Sequence, residues 1–289
     1  MGMKRKKYVG TAILIVFSVL FLLPLLVTFT NSFMTENEIA LNYSDRLSLF
    51  DLAEGIVQRF ISFSLIPDEV TIRQYQNIFV DDPSFLVLIY NSMRLTIPVV
   101  IGNVVISAFA AYGFTAWKWK GKEILYYLYI TIMLMPVQAL LVPNFIAATR
   151  MGMQESYLAI IIPGMFSPFG VFIMRQNMKS IPPSYLESAG IDGAGHLTVF
   201  FRIVLPQLKS GIAALSMLVF IDYWNIVDQA IIFIKDYADE PLSIYLSRIA
   251  QGRVAIIFAA SCVYMAPPLW ALLFGQENLE RGIEMSGVK

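Results

Sequence analysis

Asp222, Trp224, Asn225, Asp228 and Gln229 bring hydrogen-bonding and ionisable side chains into an otherwise apolar stretch, residues 208–234. Carboxylates and amides suit hydroxyl groups, and an aromatic face covers C–H surface, so the set has the chemistry to hold a sugar. It could equally hydrogen-bond between helices of two subunits. Ionisable groups at membrane depth are costly, and they face a water-filled cavity or a partner helix. Gln138, in another apolar stretch, is a weaker candidate for the same role. Other chemistry finds little support. The one histidine, His196, and the one cysteine, Cys262, lack companions at metal-ligand spacing, so no metal site is expected. No nucleophile and base stand in a catalytic arrangement, and no G-x-x-x-x-G-K-[ST] phosphate loop occurs, so the chain is not expected to bind ATP itself.

A second polar group lies in residues 181–206, IPPSYLESAGIDGAGHLTVFFRIVLP, an elbow between two apolar segments. Pro182 and Pro183 break what precedes them. Ser184 and Glu187 have capping-box spacing, Gly190 is a natural helix stop, and Asp192 can cap a second helix through Thr198 to Arg202. The spacing predicts two short helices at a membrane surface. Their tip, from Ala189 to Ala194, carries little side-chain bulk, so another protein could approach the backbone closely. His196 reads as a surface polar residue of this loop.

These groups must be positioned by helices in a bilayer. Hydrophobic residues make up 57% of the chain and charged residues 15%, against about 45–50% and 25% in soluble domains. The net charge of zero argues against nucleic-acid binding by bulk electrostatics. About 20 apolar residues cross the hydrocarbon core as a helix. Six stretches qualify: residues 8–33, 85–116, 124–148, 157–178, 208–234 and 254–274. An even number puts both termini on one side, and Lys4, Arg5, Lys6 and Lys7 place that side in the cytoplasm. Thirteen of the 21 Lys and Arg residues then fall inside, while the external loop, residues 34–84, is poor in them. The first span is too long for a signal-peptide core and is read as retained. Residues 117–123, WKWKGKE, read as an interfacial anchor. Pro136 and Pro143 in the third span, and Pro163 and Pro168 in the fourth, should interrupt or bend their helices.

Glu187, Ser188 and Ala189, then Asp192, Gly193 and Ala194, with Phe200, Leu205 and Pro206 beyond, resemble the EAA loop of membrane subunits of ATP-binding-cassette (ABC) importers. More narrowly, the chain resembles carbohydrate-uptake permeases of the maltose-transporter type. Asn91 with Ser92, AAYGF at 110–114, Met135 with Pro136, Pro143, Gly152, residues 162–178, Trp224 with Asn225, Pro241 with Leu242 and the closing SGVK share that pattern. The resemblance implies an all-α integral membrane protein with the type I ABC importer permease fold and about six transmembrane helices. It implies a cytoplasmic N-terminus and first span to residue 33, the external loop 34–84, a permease core 85–275 with its coupling loop at 181–206, and a cytoplasmic tail 276–289.

By the same resemblance, Glu187, Ser188, Ala189, Gly190, Ile191, Asp192, Gly193 and Ala194 would form a coupling helix seated in a cleft of an ATPase subunit. Ser286, Gly287 and Val288 would touch the same interface. The implied partners are a second, homologous permease subunit, two ATPase subunits or domains that hold ATP and Mg, and an extracellular or periplasmic solute-binding protein facing residues 235–253. The implied setting is a bacterial or archaeal cell membrane, and the implied cargo a sugar or oligosaccharide moved by alternating access; no cofactor and no enzyme activity are expected of this chain. Relatives often carry a small polar residue where this chain has Gly195 and His196. Asp228 and Gln229 stand where relatives more often have an apolar pair with proline, so a ligand role for them rests on their chemistry alone. The alternatives are an importer of an amino acid or peptide, or a secondary transporter; against the latter, no internal repeat is evident and the elbow has no evident role there.

Overall fold

The computed structural model describes residues 2–43, 66–117, 119–249 and 254–287, which are helical or in turns and connections, with no strand among them. The chain forms two compact units. One comprises residues 1–86 and 245–266, the other 87–244 and 267–289. Four helical segments are long and apolar enough to span a bilayer: Gly10–Asn31, Ser84–Ala116, Leu158–Lys179 and Ile256–Glu277. Two bent pairs bring the number to six if each pair is one span.

In the first unit, α1 (Gly2–Asn31) exposes nearly all of its apolar span, as a lipid-facing helix must. Helix α2 (Glu36–Tyr43) buries Ile39 beside Met34, and Phe258 packs against both. Helix α3 (Arg73–Gln76) runs into a π-helical turn, Asn77–Asp81. Ser32 Oγ and Tyr75 Oη lie 2.8 Å apart in a hydrogen bond, and Thr71 N donates to Phe33 O at 2.8 Å. Most of the expected external loop, residues 44–65, lies outside the described residues.

The second unit is organised around α4 (Ser84–Ala116), whose 33 residues extend about 50 Å. That exceeds the hydrocarbon thickness of about 30 Å, so its two ends reach opposite polar faces. At one end, buried Asn91 donates through Nδ2 to Ala238 O (2.8 Å) and Glu240 O (3.1 Å), and Ser92 Oγ accepts from Leu242 N (2.9 Å). At the other end it meets the elbow. Around it stand α5 (Lys122–Ile132), α6 (Val137–Arg150), α7 (Leu158–Met165) and α8 (Pro168–Lys179). The elbow contains α9 (Pro183–Ile191) and α10 (His196–Val199), which continues through a π-helical turn, Phe200–Val204, into Leu205–Gln207. Then follow α11 (Lys209–Trp224), α12 (Asp228–Phe233), α13 (Leu242–Ile249) and α14 (Val254–Gly287), the last two shared with the first unit.

The proline expectations divide. Pro136 has extended backbone and begins α6 after a 100° bend from α5. Pro168 sits at the first position of α8, where its missing N–H costs nothing, and Phe166 and Ser167 interrupt the span there. Pro143 and Pro163 lie within continuous helices. The fifth span departs most from expectation. Residues 208–234 do not form one helix: α11 ends at Trp224, and α12 starts at Asp228. Asn225 closes α11: both its backbone N (3.1 Å) and its side-chain Nδ2 (2.7 Å) donate to Ile221 O.

Helices close on one another where side chains are smallest. At Gly170 of α8 a Cβ would come within 2.5 Å of Asn103 Oδ1, and Asn103 Nδ2 donates across to Gly164 O at 2.9 Å. Small residues permit this approach, which van der Waals contact and interhelical hydrogen bonds reward in a bilayer. Gly170→Val should destabilise the purified chain by about 1–3 kcal/mol, read as a lower unfolding midpoint in a detergent titration, whereas an unchanged midpoint would mean the seam is loose.

Candidate functional site

The elbow is built differently from its expected capping pattern. Pro182 is extended and Pro183 occupies the first helical position, so α9 begins without a side-chain cap. The Ser184 and Glu187 capping box does not form, because proline supplies the helix start and removes one of the amides that would need a partner. Glu187 is exposed, with no ion pair or hydrogen bond among the described residues. Gly190 does not end the helix and Asp192 does not begin the next. Asp192 closes α9, and Gly193, at φ +73°, takes the left-handed position after it. Ala194 N donates to Ala189 O (2.9 Å) and Gly193 N to Gly190 O (3.2 Å), the two bonds of a Schellman closure. Gly195 then precedes α10 without a side-chain cap.

The tip also differs in its surface. Ala189 is buried, whereas Ile191 is 87% exposed and Leu197 and Tyr185 are largely exposed. Ser188, Gly190, Asp192 and Gly193 are exposed, and a Cβ at Gly190, Gly193 or Gly195 would meet nothing within the chain. The bend is therefore open, not crowded; only the backbone of Gly193 restricts what may replace it.

An aromatic clamp that sequence reasoning missed holds the elbow to α4. Phe109 stacks on buried Phe200 at 4.5 Å between centroids, and Tyr112 lies 5.2 Å from the same ring. Tyr112 Oη donates to His196 O at 3.3 Å, and Trp117 meets the His196 ring edge-on at 5.7 Å. His196 is on the surface as expected, yet it is also where α4 grips α10. The aromatic residues of AAYGF and of the following turn were the available signal.

The polar residues assigned to a path separate into two groups. Gln138 stands at the start of α6, just past the 100° bend, and donates through Nε2 to Asp228 Oδ2 at 3.4 Å. Asp228 opens α12, immediately after the break in the fifth span. Two interrupted spans thus meet through their own polar side chains. Irregular backbone at membrane depth is tolerated where it is buried in protein or lines a water-filled cavity. Asp222 and Asn225 are exposed near the end of α11, and Gln229 is partly exposed in α12. Trp224 belongs elsewhere: only 1% exposed, it stacks on Phe220 at 5.5 Å inside this chain, so it does not present its ring to a solute. Asn225, which shares the sequence pattern with Trp224, caps α11.

At the opposite end of α4 the connection after α12 contains a 3-10 turn, Tyr237–Asp239, with Tyr237 75% exposed. Asn91 holds its backbone, Tyr157 Oη donates to Asp239 O, and Arg94 pairs with Asp239 at 3.7 Å. Residues 235–253, expected as a plain loop, therefore contain this turn and α13. Ser286 and Gly287 end α14, while Val288 lies outside the described residues. No group of three or more potential metal ligands occurs among the described residues.

Residues 102–284 match the family described as binding-protein-dependent transport system inner membrane component. Over 262 residues the chain is 30% identical to a polygalacturonan/rhamnogalacturonan transport system permease protein of Bacillus subtilis, covering 83% of this chain and 88% of that one. It superposes with a TM-score of 0.78 on a chain from the crystal structure of a bacterial ABC transporter involved in the import of the acidic polysaccharide alginate, at 18% identity and covering 95% and 96% of the two chains. A bacterial alginate ABC transporter in complex with a pentasaccharide-bound periplasmic protein gives 0.62, at 16% identity and 98% and 97% coverage. The fold is thus that of an ABC importer permease, and the chain belongs to the family of inner-membrane components of binding-protein-dependent transport systems.

Proposed function

We propose that this chain is the permease subunit of an ATP-driven importer that carries a sugar or oligosaccharide by alternating access. The observation that carries the reading is the elbow: a two-helix projection clamped to α4, with Ile191 and Leu197 bare at its end. ATP and Mg belong to two partner ATPase subunits, one of which receives α9; a second, homologous permease completes the pathway. A stiff projection in a socket transmits a rigid-body displacement, because packed interfaces rearrange between discrete states. The saccharide class comes from the relatives' names and from the hydroxyl-matching side chains at the two breaks. Both termini and the elbow lie in the cytoplasm, in keeping with the basic residues near them. The Tyr237 turn then faces outward, toward a solute-binding protein. The chain's own part is to bind, orient and release.

Affinity purification of the tagged chain from its native membrane should recover an ATPase and a second permease. The chain alone, with uptake driven by an ion gradient and indifferent to ATP, would replace this reading with a secondary transporter. Gly190→Trp, at a position where a Cβ meets nothing within 4 Å, should leave insertion and stability unchanged and abolish ATPase recovery; full recovery would remove α9 from the interface. Gly193→Val should instead lower the chain's own stability by about 1–2 kcal/mol through left-handed strain, measured by detergent unfolding before any partner is added. Gln138→Ala and Asp228→Asn should each reduce uptake several-fold with assembly intact, on the order of the 1–2 kcal/mol lost with a hydrogen bond to a charged group; normal uptake in both would take the breaks off the solute's path.

A further inference from the structure

Arg175 sits in the last turn but one of α8, eight residues before the elbow's first helix, and is only 3% exposed. Its Nη2 donates to Glu123 Oε1 at 2.5 Å, and its guanidinium lies 3.7 Å from the centroid of the Tyr126 ring. Nε and Nη1 are buried with no hydrogen-bond acceptor. Among the described residues Glu123 is the one carboxylate paired with this buried cation. The two ion pairs differ at the cation: the Arg175 side chain is 4% exposed and that of Arg94 54%, while both carboxylates are about half exposed, so parting Arg175 from Glu123 leaves a buried charge and costs more than parting Arg94 from Asp239.

The position of Glu123 gives the contact its direction. It is the second residue of α5, and α5 packs along α8. The far end of α5 is the 100° bend that sets Gln138 against Asp228. The elbow's second helix is gripped by α4, and α4 reaches α5 through a tight turn, in which Gly121 has φ +89° and Lys122 Nζ donates to Trp117 O at 3.0 Å. The elbow is thus fastened at both ends to the α4–α5 hairpin.

We propose that Arg175 and Glu123 are positioning residues that make α5 move with the elbow, so that a displacement of the elbow reaches the break at Gln138 and Asp228. This rests on the coupling role proposed above for the elbow. The linkage runs through packed elements and one ion pair whose cation is buried, and energetic coupling between distant sites is measured by perturbing such a link.

The test uses the assembled complex with its ATPase, partner permease and solute-binding protein in liposomes, and reads solute taken up per ATP hydrolysed. Glu123→Gln keeps the side chain's size and an oxygen that can accept from Arg175 Nη2 while removing the compensating charge, and its detergent-unfolding midpoint is measured alongside to check that the chain stays folded. That ratio should fall about tenfold, with ATP hydrolysis within about twofold of normal. Arg175→Lys, which keeps the charge, should retain more of the ratio than Arg175→Gln. A ratio unchanged in Glu123→Gln overturns the proposal, whether or not both rates decline together, because a structural defect lowers them in proportion. Gly190→Trp separates the two readings: if it assembles and couples normally, the elbow's role fails; if it does not while Glu123→Gln is normal, only the Arg175–Glu123 link fails.

Discussion

In a bilayer every backbone amide and carbonyl must find a partner within the protein, and this requirement governs the whole chain. An α-helix meets it within its own segment, and small residues let such helices close on one another, as Gly170 of α8 does on Asn103 of α4. Where a helix is interrupted, polar groups are released and must be answered locally. At the end of α11 the Asn225 side chain adds a bond to the Ile221 carbonyl, and at the starts of α6 and α12 Gln138 and Asp228 bond each other. The two interruptions are therefore costly places, and both carry side chains suited to hydroxyl groups.

The elbow obeys the opposite condition. Its short helices satisfy few of their own backbone groups, so α9 relies on Pro183 at one end and on the Gly193 closure at the other. Its rigidity is borrowed from α4 through Phe109, Tyr112 and Phe200, and from α8 through Ser180 and Ile181, which return to the Asn177 and Met178 carbonyls.

Much of the site was legible in residue order, though not its construction. EAA-type spacing and the flanking prolines located the elbow, but Ser184, Glu187, Gly190 and Asp192 all suggested caps that the chain does not use. Several residues there can cap a helix, and only the backbone angle at Gly193 selects among them. In the sequence Arg175 is one basic residue within residues 162–178, and nothing in its neighbours announces a carboxylate 52 residues earlier.

Composition and the length of apolar runs were enough to determine a multi-pass helical membrane protein, because about 20 apolar residues have no other stable fate in water or lipid. The family resemblance lay equally in residue types and their spacing. Tertiary structure decided which spans break, which polar residues meet, and which are withdrawn into the core. Trp224 and Asn225 are adjacent in sequence, yet one is buried against Phe220 and the other closes a helix. Periodicity cannot separate them, since the side of a helix that faces protein is set by the neighbours it packs against, and those neighbours come from distant parts of the chain.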